Sequence, residues 1–290
     1  MEHELFAMVR QQLRTLGQRR RSRKYTYTDA CIVAVYAWAA VNDRPTVWAC
    51  QPRNWPPGLR RGRLPSQSIV SRRLRSPSVV RLLDLLEQRV FIRRRQPTLV
   101  LIADGKPLPI AAHSADRQSG YGRAAGGYAK GYKLHALVDL SGMLRCWCIA
   151  PMNIDERVIA GRMLRRIEHA GYVLADSNYD SNKLFSLAAD RGCQLVTPRR
   201  GGPGRGLGHR PQSKGRLHSM TMLEGPNPEF GQDLFSLRRG IERYFGRLSS
   251  GAGGLSCLPS WVRGHRRVHG WVQLKIILDQ LRAERRSAAA

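Results

Sequence analysis

Two short aliphatic and β-branched runs, each stopping at an aspartate, constrain the fold of this 290-residue chain more than any other feature. Thr98 to Ala103 (TLVLIA) runs into Asp104, and Tyr172 to Ala175 (YVLA) runs into Asp176. An apolar run that short, bounded by turn-forming residues, reads as a buried strand. The segments between and after them follow a clear order. A Gly-rich loop is expected over Ser119 to Gly131, then strands over Tyr132 to Asp139 and Met143 to Ala150, joined at Ser141-Gly142. Asp155 to about Ala170 predicts a helix with Gly171 as its C-cap. Ser181 to Arg191 predicts another helix, and Gln194 to Thr197 a fifth strand. Arg199 to about Gln232 is rich in Gly, Pro, Arg and Ser and shows no periodicity, which reads as a basic, mobile insertion. A helix over roughly Phe235 to Leu248 carries Glu242.

Three antiparallel strands followed by two helix-strand crossovers make a mixed five-stranded α/β sheet with flanking helices. That element order is the one expected of a ribonuclease H-like core. Residues 1–95 read instead as an all-α region. Thr28 is a plausible N-cap for a helix running to about Asn42, apolar all round and therefore buried. Pro56-Pro57-Gly58 breaks the pattern, and helical stretches follow over Ser66 to Arg75 and Ser78 to Val90. The expected organisation is a helical, DNA-binding region at 1–95, a catalytic domain at 96–255 with the basic insertion at 199–232, and a basic helical extension at 256–290.

The chain carries 49 Lys+Arg against 21 Asp+Glu, a formal net charge of +28. Charge of that size repels itself unless a polyanion is nearby, and double-stranded DNA is the expected partner. An acidic membrane surface is the competing reading. The longest apolar run, Ala30 to Val41, is shorter than the roughly 20 residues a bilayer-spanning helix needs. Met1-Glu2-His3-Glu4 lacks a signal-peptide core, so the expected location is the cytosol. None of the six cysteines falls in a C-x-x-C pair, so neither a zinc site nor a disulfide framework is expected.

Asp104 and Asp176 end strands that are parallel neighbours in such a sheet, so both carboxylates emerge at one edge, where Glu242 can lean over them. Taken singly, an aspartate at a strand end is more often a turn former or cap. Three acids brought together need cations, and hard oxygen ligands around a hydrated site select Mg²⁺ or Mn²⁺. Two such ions about 4 Å apart stabilise the attacking and leaving oxygens of a phosphodiester displacement. Asp104 is expected to bridge both ions, with Asp176 completing one and Glu242 the other.

At these residues the chain resembles the DDE transposases of bacterial insertion sequences. Ile102-Ala103-Asp104-Gly105-Lys106-Pro107-Leu108-Pro109 resembles the first-aspartate block. Gly131-Tyr132-Lys133-Leu134-His135, with Val138-Asp139 and Gly142, matches the second-strand block. Pro151 to Arg157 (PMNIDER) resembles the family's Asn-x-x-Asp-Arg segment, and Leu174 to Ser181 (LADSNYDS) its second-aspartate block. Arg238, Ile241, Glu242, Phe245 and Leu248 match the helix with the catalytic Glu. The chain departs from the family at Phe235, where Tyr is usual, and at Ser249, where a DNA-contacting Lys is usual. Arg247 or a later arginine is the expected substitute. The resemblance implies cleavage at element ends, strand transfer into target DNA by a freed 3′-hydroxyl, and a dimer that pairs two ends. The alternatives are a decayed or repurposed DNA-binding protein and a ribonuclease H-like nuclease without strand transfer.

Further DNA contacts are expected from Arg19, Arg20 and Arg21 in a basic cluster, and from Arg72 and Arg73. The last two belong either to a helix-turn-helix or to a solvated basic helix face. Arg238 shares a helical face with Glu242, and either holds that Glu or meets a DNA phosphate, an ordinary i,i+4 ion pair being the alternative. Lys133 and His135 share a strand face, and a half-buried strand explains them as well as DNA contact does. Asp155 and Asp180 are explained as caps. Trp271, Leu274, Ile277, Leu278 and Leu281 predict an amphipathic helix over about His269 to Arg285. Gly204 to Gly208 (GRGLG) lacks the Gly-Lys-Ser/Thr of a nucleotide-binding loop.

Overall fold

The N-terminal residues fold as helices wherever apolar side chains recur at helical spacing. The computed structural model describes residues 1–16, 26–59, 62–92, 98–167, 170–203, 207, 209 and 211–289. Arg19, Arg20 and Arg21, and most of Gly204 to Gly208, lie outside the described residues. The helices are α1 (Glu2–Leu16), α2 (Asp29–Val41), α3 (Thr46–Ala49), α4 (Gln67–Arg73) and α5 (Pro77–Ile92). The hydroxyl of Thr28 caps α2 by accepting from the Cys31 N–H, and Ile32 to Val41 is almost wholly buried, as an all-round apolar helix requires.

The next 150 or so residues contain β1 (Val100–Pro109), β2 (Gly120–Ala124), β3 (Gly127–Asp139), β4 (Leu144–Pro151), α6 (Glu156–Leu164), β5 (Tyr172–Leu174), α7 (Asn182–Asp190), β6 (Gln194–Val196), α8 (Lys214–Glu224), α9 (Glu229–Ser236) and α10 (Gly240–Ser249). The sheet has six strands in the order β2-β3-β1-β5-β6, with β4 also paired to β3. The extra strand, β2, comes from the Gly-rich loop: Gly120 to Ala124 pairs antiparallel with Gly127 to Gly131. Glycine there permits close approach, since a Cβ on Gly122 would lie 2.4 Å from the Met152 carbonyl oxygen. The other five strands keep the expected pattern. β1, β3 and β4 run antiparallel, and β1, β5 and β6 run parallel, joined through α6 and α7. This is the mixed α/β sheet with flanking helices that the element order predicts.

Three local expectations are corrected. The helix expected to reach Ala170 stops at Leu164, and Gly171 immediately precedes β5 instead, where a Cβ would lie 2.4 Å from the Leu99 side chain. The segment expected to be a mobile insertion over 199–232 holds α8 and the first half of α9. The Ser213 hydroxyl caps α8, and the buried Ser219 hydroxyl bonds both the N–H and the C=O of Thr197 at the end of β6. The helix expected over Phe235 to Leu248 is interrupted by a 3-10 turn at Leu237–Arg239.

The last helix, α11 (His265–Ala289), is longer than expected and is not amphipathic. Polar residues Gln273, Lys275, Asp279 and Arg282 are as buried as its Trp271 and Leu278. The chain divides into two compact units, residues 1–95 with 247–290, and residues 96–246. The C-terminal extension expected to stand apart therefore belongs to the same unit as the N-terminal helices. Within the second unit one core fills the space between the sheet and its helices, including Leu101, Ala103, Leu137, Ala160, Met163, Val173, Leu184 and Phe185.

Candidate active site

Strand register places the first two candidate carboxylates side by side. β1 pairs parallel with β5 from Val100↔Tyr172 to Ile102↔Leu174, and there the pairing ends. Side chains alternate along a strand, so Asp104 lies on the face of Ile102 and Asp176 on the face of Leu174, level with one another. β1 continues to Pro109 on β3, where Asp104 sits opposite Ala136. The strand expected to stop at Asp104 continues to Pro109, so Asp104 is held mid-strand, with its β5 neighbour already ended. Asp176 starts a 3-10 turn (Ser177–Tyr179), and its carboxylate accepts from the Asn178 N–H at 2.9 Å.

A cation faces both acids. One nitrogen of the Arg238 guanidinium lies 3.3 Å from Asp104 Oδ2 and 3.7 Å from Asp176 Oδ2. Close packing brings the arginine there: a Cβ on Gly240 would lie 3.1 Å from Ile102 Cδ1, so the turn bearing Arg238 lies against the same face of β1. Burial pushes Asp104 up to about 6, against the pull of the Gly105 N–H and Arg238, with Asp176 and Glu156 pushing the same way as burial. Oδ1 of Asp104 accepts from the Gly105 N–H at 2.7 Å.

Behind Asp104 lies a second polar group. Lys133 of β3 reaches across Gly105, where a Cβ would come within 2.7 Å of Lys133 Cδ, and its ammonium meets the carboxylate of Glu156, the first residue of α6. The Tyr179 hydroxyl is fully buried without a hydrogen-bond partner, and Tyr179 is pushed well above its ordinary value by burial, with Glu156, Asp104 and Asp176 adding to the effect. His135 is also fully buried, and neither ring nitrogen finds a partner. Burial, helped by Lys133, pulls its pKa down to about 3, so the ring is neutral.

Glu242 is not part of this gathering. It lies on the exposed side of α10, whose buried side is Ile241, Tyr244 and Leu248. Asp104 and Asp176 fit a hard divalent ion, being carboxylates that face one cation. Among the described residues, no three of His, Cys, Asp or Glu stand together so as to hold a metal ion.

A family model described as "Transposase DDE domain" matches residues 95–278. This chain belongs to that family. The family's chemistry runs on divalent metal ions. A search of curated proteins finds no match to the transposase. Among solved structures, a piggyBac transposase in a synaptic complex with hairpin DNA aligns over 96% of this chain and 71% of its own, with 10% identity and a TM-score of 0.49. The catalytic core domain of BIV integrase aligns over 61% of this chain and 95% of its own, with 12% identity and a TM-score of 0.25.

The arginines expected to meet DNA have mixed surroundings in the transposase. Arg72 is exposed. Arg73 is buried and bonds Asp29 at 2.5 Å and the Tyr27 carbonyl at 3.0 Å, so it holds helices together. Arg247, the expected stand-in for the family's Lys at Ser249, bonds the buried carboxylate of Asp279 at 3.1 Å. Arg238 is turned to the aspartates rather than to Glu242. Asp155 caps α6 as expected, whereas Asp180 accepts from Arg216 and from the Arg200 N–H. Glu156 and Tyr179 both fall inside the family-like blocks, but only their position in the fold reveals them, because neither lies at a strand end. No helix among the described residues is long and apolar enough to cross a membrane.

Proposed function

We propose that this transposase cuts DNA at the ends of its own mobile element and joins the freed ends to target DNA, with Asp104, Asp176 and Glu242 as its acidic trio. The observation that carries the reading is the pair of aspartates on adjacent parallel strands, facing one cation, in a chain of the DDE family. Divalent ions at the site, Mg²⁺ or Mn²⁺, supply Lewis-acid stabilisation of the attacking and leaving oxygens. Asp104 and Asp176 hold them from the sheet edge. Glu242 is the third ligand in this reading, which requires α10 to bring it to the aspartates when DNA is bound. Arg238 neutralises the aspartate pair in the protein as it stands, and once displaced its fork of donors suits a DNA phosphate.

The reaction has two displacements at phosphorus. Water attacks the phosphodiester at an element end, and the 3′ oxygen leaves as a hydroxyl. That hydroxyl then attacks a target phosphodiester, whose own 3′ oxygen leaves. The partner is double-stranded DNA, element end and target, and the net charge of +28 supports it. Pairing two ends calls for a dimer on DNA.

The test incubates the protein with Mg²⁺ and DNA carrying the inverted repeats that flank its gene. Wild type should cut and join. Asp104→Ala, Asp176→Ala and Glu242→Ala should each lose at least about 100-fold, since a lost ligand removes several kcal/mol of transition-state stabilisation. Full cleavage by Asp104→Ala or Asp176→Ala removes the site. Cleavage without joining makes the protein a nuclease, and tight binding without cleavage makes it a DNA-binding protein.

A further inference from the structure

We infer that the ribbon formed by β2 and the start of β3 lies in the major groove of duplex DNA, about 6–8 base pairs from the scissile phosphate, and meets base edges through Tyr121, Arg123 and Tyr128. The distance rests on the proposed reading that Asp104 and Asp176 mark the place of cutting.

Register is the first argument. Asp104 sits directly opposite Ala136, and directly opposed residues share a face of the sheet. Side chains alternate along β3, so Tyr128 and Lys130 lie on the face of Ala136, and therefore of Asp104. Tyr121 opposite Lys130 and Arg123 opposite Tyr128 complete that face. β1 ends at Pro109, opposite Gly131, and the ribbon runs on beyond it. At about 3.3 Å per residue, Lys130 and Tyr128 lie about 20 and 26 Å along the strand from the level of Asp104. Duplex DNA rises about 3.4 Å per base pair, so that reach corresponds to about 6–8 base pairs.

The second argument is what the face offers. Tyr121 and Tyr128 are 57 and 78% exposed, and Arg123 is exposed as well. Among the described residues, Arg123 pairs with no carboxylate and neither tyrosine hydroxyl makes a hydrogen bond. The Lys130 ammonium lies 6.0 Å from the centre of the Tyr121 ring and donates to the Ser114 carbonyl. No acidic residue occurs from Arg117 to Val138. Asp116, just before, is turned inward to accept from the Tyr132 hydroxyl. Cations and free hydroxyls with no carboxylate among them complement a polyanion.

The opposite face fixes the ribbon in place. Gly120 and Gly122 alternate with Tyr121, and a Cβ on them would lie 1.9 Å from Asn153 Oδ1 and 2.4 Å from the Met152 carbonyl oxygen. The strands reverse through Ala125-Gly126, where Gly126 takes φ 87°. Close packing by the glycines thus holds Tyr121, Arg123 and Tyr128 outward. A two-stranded ribbon fits the major groove, which is roughly 12 Å wide. There the arginine fork suits guanine O6 and N7, and the hydroxyls suit base edges.

The test is binding of the full chain, without metal, to a duplex bearing the inverted repeat that flanks its gene. Dimethyl sulfate reports guanine N7 in the major groove and adenine N3 in the minor groove. Wild type should protect guanine N7 about 6–8 base pairs from the cut. Tyr121→Ala/Tyr128→Ala and Arg123→Ala should each remove that protection and weaken repeat binding about tenfold, with little loss on unrelated duplex. Arg123→Lys should not restore it, because a point charge lacks the fork. Thermal melting should match wild type, since these side chains are exposed. If the alanine variant melts early, Tyr121→Phe/Tyr128→Phe removes only the hydroxyls and should weaken repeat binding in the same direction. Unchanged protection in the variants overturns the inference. So does protection confined to adenine N3, an equal loss on both duplexes rescued by Arg123→Lys, or a larger loss on single-stranded DNA. Guanine protection that needs the ribbon but lies elsewhere on the repeat leaves the groove contact standing and overturns the distance, and with it the aspartate reading. A wild type that binds neither duplex overturns both.

Discussion

Asp104 shows how one residue can be shaped by its surroundings for something other than stability. Folded, it keeps its proton up to about 6, against an ordinary 3.8, chiefly because burial withdraws it from water. Between those values the folded chain binds more protons than the unfolded chain, so stability falls as pH rises through the window and stays lower above it. Allowing for partial exposure, the penalty at neutral pH is on the order of 1–2 kcal/mol. Asp104→Asn should therefore raise the thermal stability of the metal-free protein above about pH 6, and the gain should disappear below about pH 4. Melting curves across that range check it, and a gain that did not vary with pH would show that charge is not the cause.

The element that departs furthest from its sequence pattern is α11. Its apolar residues fall at helical spacing, which predicts a wet opposite face, yet Gln273, Lys275, Asp279 and Arg282 are buried as well. Each has an internal partner. Gln273 donates to Asp84 and Glu87, Lys275 to the Ala40 carbonyl and Asp43, and Asp279 accepts from Arg247. Buried polar groups are tolerable only when paired in this way. Asp279 is fully buried between Arg247 and Arg282, and its removal would leave the 7%-exposed Arg282 with the Ser250 carbonyl but no carboxylate. Asp279→Ala should cost about 3–5 kcal/mol in urea denaturation. A loss under 1 kcal/mol would mean that the pairing is not what holds this helix in place.

At the scale of the whole molecule, charge dominates. Forty-nine basic against 21 acidic residues is an excess that internal ion pairs do not consume. Arg73, Arg216 and Arg247 are each engaged by a carboxylate, which removes them from the set available to DNA. The remaining positive charge should make DNA affinity strongly dependent on salt. On the proposed reading, raising salt from about 50 to about 200 mM should weaken binding by about a thousandfold or more. A titration that moved less than tenfold would show that phosphate contacts are few and that the charge serves another purpose.

The order of five strands, the neighbouring of Asp104 and Asp176, the buried α2 and the family blocks were legible in the chain itself, because each depends on local periodicity, whereas the continuation of β1 past Asp104 to Pro109 was not. The strand made from the Gly-rich loop, the helices inside the basic segment and the burial of α11 were not, because each depends on partners distant in sequence. The same division runs through the site. Types and spacing of residues determined that Asp104 and Asp176 meet, since parallel pairing with a two-residue alternation leaves them no other place. Only the tertiary structure decided that Arg238 faces both of them, that Lys133 pairs with Glu156, that the Tyr179 hydroxyl is buried, and that Glu242 is exposed on α10. Contacts made by long side chains across layers leave no periodic trace in the sequence that forms them.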